Sequence, residues 1–185
     1  MAYKGQVIEN SITGDLYEFL ETANDTQGES MRLKLTLKTK GELVPNHFHL
    51  LQDEHFEVLS GKLTVWMDGR TQTFSAGEKI NLPKNKAHNH YNNEDEPLTM
   101  IQTVSPALDF EYLIENLIGL SIDGKMKNGK AGIIQELVTL KYLDSTSYLA
   151  NIPVGVQKVF MNIVAPIARK FGYRAIYKKY SGFEK

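Results

Sequence analysis

Alternation is the first pattern the chain shows. Met31-Arg-Leu-Lys-Leu-Thr-Leu-Lys38 has an apolar residue at every odd position, the period of a strand with one face buried. Leu16 to Leu20 is strand-like in the same way, and Asn24-Asp-Thr-Gln-Gly28 between the two predicts a loop. Phe56 to Leu59 reads as a strand ending at Gly61. Leu63 to Met67 and Thr71 to Phe74 flank Asp68-Gly69, a strong hairpin signal. Lys79 to Pro83, the run from His88 to Tyr91, and Leu98 to Val104 complete a set of short strands whose spacing suits a small barrel or sandwich.

After Val104 the period changes from two to between three and four. Ser105-Pro106 predicts a helix start, with Ser as cap and Pro at the first helical position. Leu108, Tyr112, Leu113 and Leu117 then share a face. Asp123-Gly124 and Asn128-Gly129 break the chain, and Ile133, Ile134, Leu137, Val138 and Leu140 form a second stripe. A third runs from Pro153 through Val156, Val159, Phe160, Ile163, Val164 and Ile167, with Pro166 expected to kink it before Gly172. These stripes are expected to be buried on the barrel, on a partner subunit or on one another. A lid over the barrel mouth, or contact with a membrane surface by the basic, amphipathic stretch from Pro153 to Lys179, are the alternatives.

The candidate chemistry lies among the strands. One segment reads Gly41-ELVPN-His47-F-His49-LLQD-Glu54-HFEVLS-Gly61 and a second Gly77-EKINL-Pro83-K-Asn85-KA-His88-NHY-Asn92. Residues i and i+2 of a strand point to one face, so His47 and His49 can aim both imidazoles into one cavity. Glu54 follows after a turn or bulge, and His88 must come from another strand pair. Three imidazoles and a carboxylate suit one divalent transition metal such as Fe, Mn, Ni, Cu or Zn, with positions left for substrate or water.

The two segments resemble the paired signature motifs of the cupin superfamily, GxxxxxHxHxxxxE followed by six residues and Gly, then GxxxxxPxGxxHxxxN. The one departure is Asn85, where the pattern has a second Gly; Asn tolerates positive φ best among the other residues. The resemblance covers roughly residues 30 to 104. It implies a mainly β, jelly-roll-like double-stranded β-helix barrel with a metal on His47, His49, Glu54 and His88. Relatives commonly pair through an exposed sheet edge, so a homodimer is expected. The resemblance leaves the reaction open, since its members include dioxygenases, isomerases, decarboxylases, binders and storage proteins.

Strand parity nominates further residues. His90 lies two beyond His88 and is the candidate pocket acid or base, with a rim position as the alternative. Phe56 and Val58 share the parity of Glu54 and would wall the cavity, whereas His55 and Glu57 face out. Asp53 is a candidate to orient an imidazole from behind, or else lies in solvent.

Composition narrows the classes. The length fits one cupin barrel over residues 1–105 and a helical C-terminal extension over 106–185. With no Cys there is no disulfide, thiolate ligand or cysteine nucleophile. The N-terminal MAYKGQVIENS lacks an apolar secretory run, and a cytoplasmic location is expected. Residues 1–120 carry 10 Lys plus Arg against 18 Asp plus Glu, and residues 121–185 carry 11 against 4. The chain thus joins an acidic barrel to a basic tail whose scattered cations do not suit nucleic acid. The function expected is that of a metal-dependent enzyme acting on a small oxygenated molecule, dioxygenase-like or isomerase/lyase-like. The alternative is a non-enzymatic binding or sensing module.

Overall fold

A computed structural model describes every residue except Met1, Thr39, Glu42, Leu43, Asn128, Gly129 and Thr146, together with all side chains but those of Lys127 and Lys130. Two sheets face each other. The first has six strands: β1 (Val7–Glu9), β2 (Leu16–Glu21), β3 (Met31–Leu37), β10 (Leu98–Ser105), β5 (Asp53–Ser60) and β8 (Lys79–Leu82), in that spatial order. The second has five: β13 (Ser147–Leu149), β4 (His47–His49), β9 (His88–Asn92), β6 (Lys62–Met67) and β7 (Arg70–Ser75). All neighbours pair antiparallel. Mainly β, with helices confined to the C-terminal part, the architecture is the one the alternation predicts.

The alternation works because each inward parity finds the same core. Met31, Leu33, Leu35 and Leu37 of β3 are buried, as are Leu98, Met100 and Val104 of β10 and Phe56 and Val58 of β5, while the residues of opposite parity between them are partly exposed. Leu63 and Val65 of β6 close the core from the second sheet. Asp68 and Gly69, at φ 46° and 83°, make the hairpin turn between β6 and β7. A Cβ at Gly61, whose φ is 78°, would stand 2.5 Å from the carbonyl oxygen of Pro97, so the chain can pass there only with glycine.

The C-terminal part departs from its sequence reading in three ways. Helix α1 spans Phe110–Ile122, so Ser105-Pro106 does not start it. Leu108 intervenes at φ 49°, and the carbonyls of Pro106 and Ala107 accept hydrogen bonds from Gln52 Nε2 at 2.9 and 3.1 Å instead of opening a helix. The face it buries holds Phe110, Ile118 and Leu120 with Glu111, Glu115 and Asn116, leaving Tyr112, Leu113 and Leu117 half-buried. The break at Asp123-Gly124 is present, with Gly124 at φ 68°, while Asn128-Gly129 lies outside the described residues, between β11 (Met126–Lys127) and β12 (Lys130–Ala131).

The second and third departures concern which face is covered. Helix α2 (Ile133–Tyr142) buries Gln135 and Val138 and exposes Ile133 and Ile134. Helix α3 (Val154–Lys170) runs through Pro166 and packs against α2, burying Gln157, Met161, Ala165 and Ala168. Its large apolar side chains, expected to be buried on the barrel, on a partner subunit or on one another, are on the outside of this chain. Close packing against α2 selects the small Ala165 and Ala168, which join Val138, Leu143, Ala175 and Ile176 in a second core, and Tyr112, Leu113, Tyr142 and Tyr173 pack on it. Helix α4 (Lys178–Ser181) lies against α1.

One C-terminal element joins the barrel. Strand β13 pairs with β4, setting Leu149 opposite His47 and Ser147 opposite His49. Gln157, near the start of α3, grips that strand by accepting from Leu149 N at 3.0 Å and donating to the carbonyls of Leu149 and Ile152 at 3.0 and 2.6 Å. Helix α3 is therefore hydrogen-bonded to the strand beside the one that carries two of the candidate ligands.

Candidate metal centre

His47 and His49 stand at the two ends of the three-residue β4, both buried, with Phe48 between them facing the other way against Tyr148. His88 opens β9, directly opposite His47, and is fully buried. One ring nitrogen from each of the three lies within 4.8 Å of the others. The structure brings these three imidazoles together.

Their backbone contacts decide which nitrogens converge. His47 Nδ1 is 2.8 Å from the carbonyl oxygen of Pro45, and His88 Nδ1 is 2.9 Å from that of Lys86. A carbonyl only accepts, so Nδ1 carries the proton in both rings and Nε2 keeps its lone pair for the cavity. His88 Nε2 is buried and without a hydrogen-bond partner among the described residues. Burial first, then the neighbouring His49 and His88, pushes the His47 pKa down to about 3, so that ring is neutral and ready to ligate near pH 7.

Glu54 comes from the opposite sheet. It is the second residue of β5, and its carboxylate lies 3.7 Å from His49 Nε2 and 3.4 Å from His88 Nε2. Burial acts to raise its pKa, but the neighbouring imidazoles of His88, His49 and His90 outweigh it, and the group is held below the ordinary carboxylate value. Glu54 Oε1 accepts from Gln102 Nε2 at 2.9 Å, which leaves Oε2, buried and without a hydrogen bond, toward the imidazoles. A buried carboxylate beside neutral imidazoles calls for a positive charge, and the donor set is that of a divalent transition metal. The residues present therefore fit such an ion.

Gln102 was not singled out by the sequence reading. The signal was present: it occupies the inward parity of β10, where Leu98, Met100 and Val104 are apolar. A polar residue at a core position of an otherwise alternating strand needs a buried partner, and the partner is Glu54. Gln52 is a second omission, holding Pro106, Ala107 and the Ser145 hydroxyl at the base of the C-terminal segment.

His90 sits on β9 opposite Val65, with its ring centroid 4.6 Å from that of Phe56. Both strand-mates therefore turn inward, His88 and His90 alike. Its Nδ1 is buried without a hydrogen-bond partner among the described residues, and burial, partly opposed by Glu54, pushes its pKa down to about 4. Asp53 orients no imidazole: its side chain is exposed and accepts from the backbone N–H of Lys84 at 2.8 Å. His55 faces away from the cavity, toward Asn81. Asn85 has the positive φ, 63°, that glycine supplies in the signature, and its N–H donates to the His49 carbonyl at 2.7 Å.

Comparison with known proteins places this barrel. The cupin domain family model matches residues 34–104. Quercetin 2,3-dioxygenase of Bacillus subtilis (strain 168) is 27% identical over 107 residues, 57% of this chain and 31% of that protein. Polyketide synthase CurC of Streptomyces cyaneus is 31% identical over 72 residues, 39% of this chain and 47% of that protein. The chain thus spans less than half the length of either curated relative. Among solved structures, KdgF from Halomonas sp. superposes with a TM-score of 0.48 at 18% identity, covering 57% of this chain and 90% of that one. The family match falls on the strands that carry the three imidazoles, Glu54 and Gln102, so over residues 34–104 this barrel is a cupin domain.

Proposed function

We propose that this cupin is a metal-dependent enzyme acting on a small oxygenated molecule, with His47, His49, His88 and Glu54 holding one Fe, Mn, Ni or Zn ion. The observation that carries the reading is the convergence of three buried imidazoles, two with Nδ1 committed to backbone carbonyls, beside a buried carboxylate. When bound, the metal would supply Lewis acidity to an enediol, β-diketone or hydroxy-acid oxygen, together with redox chemistry if it is iron. The 27% identity to a quercetin dioxygenase supports an oxygenase direction, and isomerase or lyase chemistry is the other branch.

The chain's own residues have distinct tasks. Gln102 holds Oε1 of Glu54 and so fixes the carboxylate plane. Phe56 and Val58 line the interior with apolar surface and exclude water. His90, neutral near pH 7 and with a free Nδ1, is the acid or base that moves a proton on or off the bound molecule.

A second reading, ligand binding or sensing without turnover, is supported by the hydrogen-bonded route from β4 through β13 and Gln157 to α3. One set of assays separates the two. Protein loaded in turn with each metal is screened for oxygen uptake and for isomerisation of enolic and aromatic substrates, beside His90→Gln. The enzyme reading expects turnover that falls about 10²–10⁴-fold in His90→Gln with metal content unchanged. Full turnover in the variant removes His90 from the mechanism. Stoichiometric binding of enolic ligands with no turnover on any metal establishes the second reading.

A further inference from the structure

The outer face of α3 is apolar and uncovered. Val156, Val159, Phe160, Ile163, Ile167 and Phe171 fall within an arc of about 120° when projected at the helical period. Phe160 is 58%, Ile163 60% and Phe171 79% exposed. The helix is 17 residues long, so the stripe extends about 25 Å, and Ile152 continues it at the N-terminal end. A contiguous apolar surface of this length marks an interaction site. The barrel does not cover it, because the opposite face of α3, with Ala165 and Ala168, is the one packed on α2.

Charge identifies the occupant. Between Asp144 and Glu184 the chain has no acidic residue and six basic ones, Lys158, Arg169, Lys170, Arg174, Lys178 and Lys179. Arg174 pairs with Glu184, Lys179 with Asp123, and Arg169 lies over the Tyr142 ring. Lys158, Lys170 and Lys178 are exposed and have no ion-pair partner among the described residues. Lys170 projects from the apolar arc itself, at its C-terminal end, where a long aliphatic stem can carry the ammonium up to a layer of anionic headgroups.

A second copy is a poor fit. Two-fold pairing through this face would bury Lys170 in a contact to which the same segment brings no carboxylate, and a contact with the acidic barrel of another copy would be head-to-tail, building a ring or fibre and not a two-fold dimer. No helix among the described residues is long and apolar enough to cross a membrane, whereas α3 has the form of one that lies in the interface.

We propose that the exposed face of α3 docks on an anionic lipid bilayer, with Phe160 and Ile163 at the centre of the inserted stripe and Lys170 on the headgroups. Because Gln157 ties α3 to β13, and β13 pairs with β4, docking holds the barrel at the bilayer as part of one hydrogen-bonded body.

Flotation of the full chain with vesicles tests this, using phosphatidylcholine alone and phosphatidylcholine with ~30 mol% phosphatidylserine. The protein is expected to float with the anionic vesicles and much less with the neutral ones. Phe160→Ser with Ile163→Ser, both at exposed positions, should lower the partition coefficient at least about tenfold, and Lys170→Glu by about fivefold or more on anionic vesicles only. Unchanged circular dichroism and metal content in the variants establish that the fold is retained. Absence of flotation, or equal flotation of the double variant, overturns the proposal. So does a dimer or polymer in lipid-free buffer that the double variant dissociates, since the stripe then belongs to a second copy.

Discussion

His47 and His88 are mirror-like partners across the β4–β9 pair. They stand opposite each other in register with ring centroids 4.7 Å apart, and each donates its Nδ1–H to the carbonyl two residues earlier in its own chain segment, Pro45 and Lys86. The same short-range hydrogen bond sets the tautomer of both rings. Each Nε2 is thereby turned inward without help from any side chain, so these two candidate ligands are fixed by local backbone geometry.

Glu54 is fixed differently, by a side chain from another strand, and it should be the adjustable member of the site. Replacing Gln102 with Leu leaves Oε1 of Glu54 buried with no donor. We expect metal affinity to fall about 10–100-fold, measured by competition with a chromophoric chelator, while the three imidazoles still bind. Unchanged affinity would mean that Glu54 takes no part in holding the ion.

Asn85 tests the turn that supports His49. At φ 63° Asn is tolerated, so Asn85→Gly should change stability by less than about 0.5 kcal/mol, whereas Asn85→Val, β-branched at positive φ, should cost about 1–3 kcal/mol. Urea midpoints of the two variants provide the measurement. Equal midpoints would show that the turn adapts and that the departure from the signature has no energetic content.

The metal-free protein should lose stability on acidification in a defined window. His47 and His90, held down to about 3 and about 4, take up protons near pH 6.5 in the unfolded chain but not in the folded one. Between those values the unfolded state binds more protons, so unfolding free energy falls as pH falls. Glu54, also lowered, adds the same sign below its ordinary value of 4.5. Chemical denaturation from about pH 7 to about pH 4 should show the decline, with a shallower slope in His90→Phe. A flat profile would contradict the burial of these imidazoles.

Much of this molecule is written in short-range patterns, and what is not follows a physical rule. The alternation at Met31–Leu37 is readable because one face of β3 meets a single continuous core. The shared face of His47 and His49 is readable because it depends on strand parity alone. Gln102 required knowing that Glu54 lies across from its inward face, a pairing distant in sequence. Strand β13 is three residues long, too short to display a period. In α3 the sequence identified the apolar stripe correctly, but periodicity says which side chains share a face and not whether a neighbour covers it. The two small alanines, which carry little weight in a hydrophobic pattern, decided that contact.

The proposed chemistry requires that His47, His49, His88 and Glu54 hold a metal. The direct measurement is elemental analysis of protein purified without added metal or chelating resin, beside His47→Ala and His88→Ala. Near-stoichiometric Fe, Mn, Ni or Zn in the parent protein, lost in both variants while circular dichroism stays that of the folded barrel, is the predicted result. Full metal content in either folded variant, or a parent protein that neither retains nor takes up any of these ions, would contradict it.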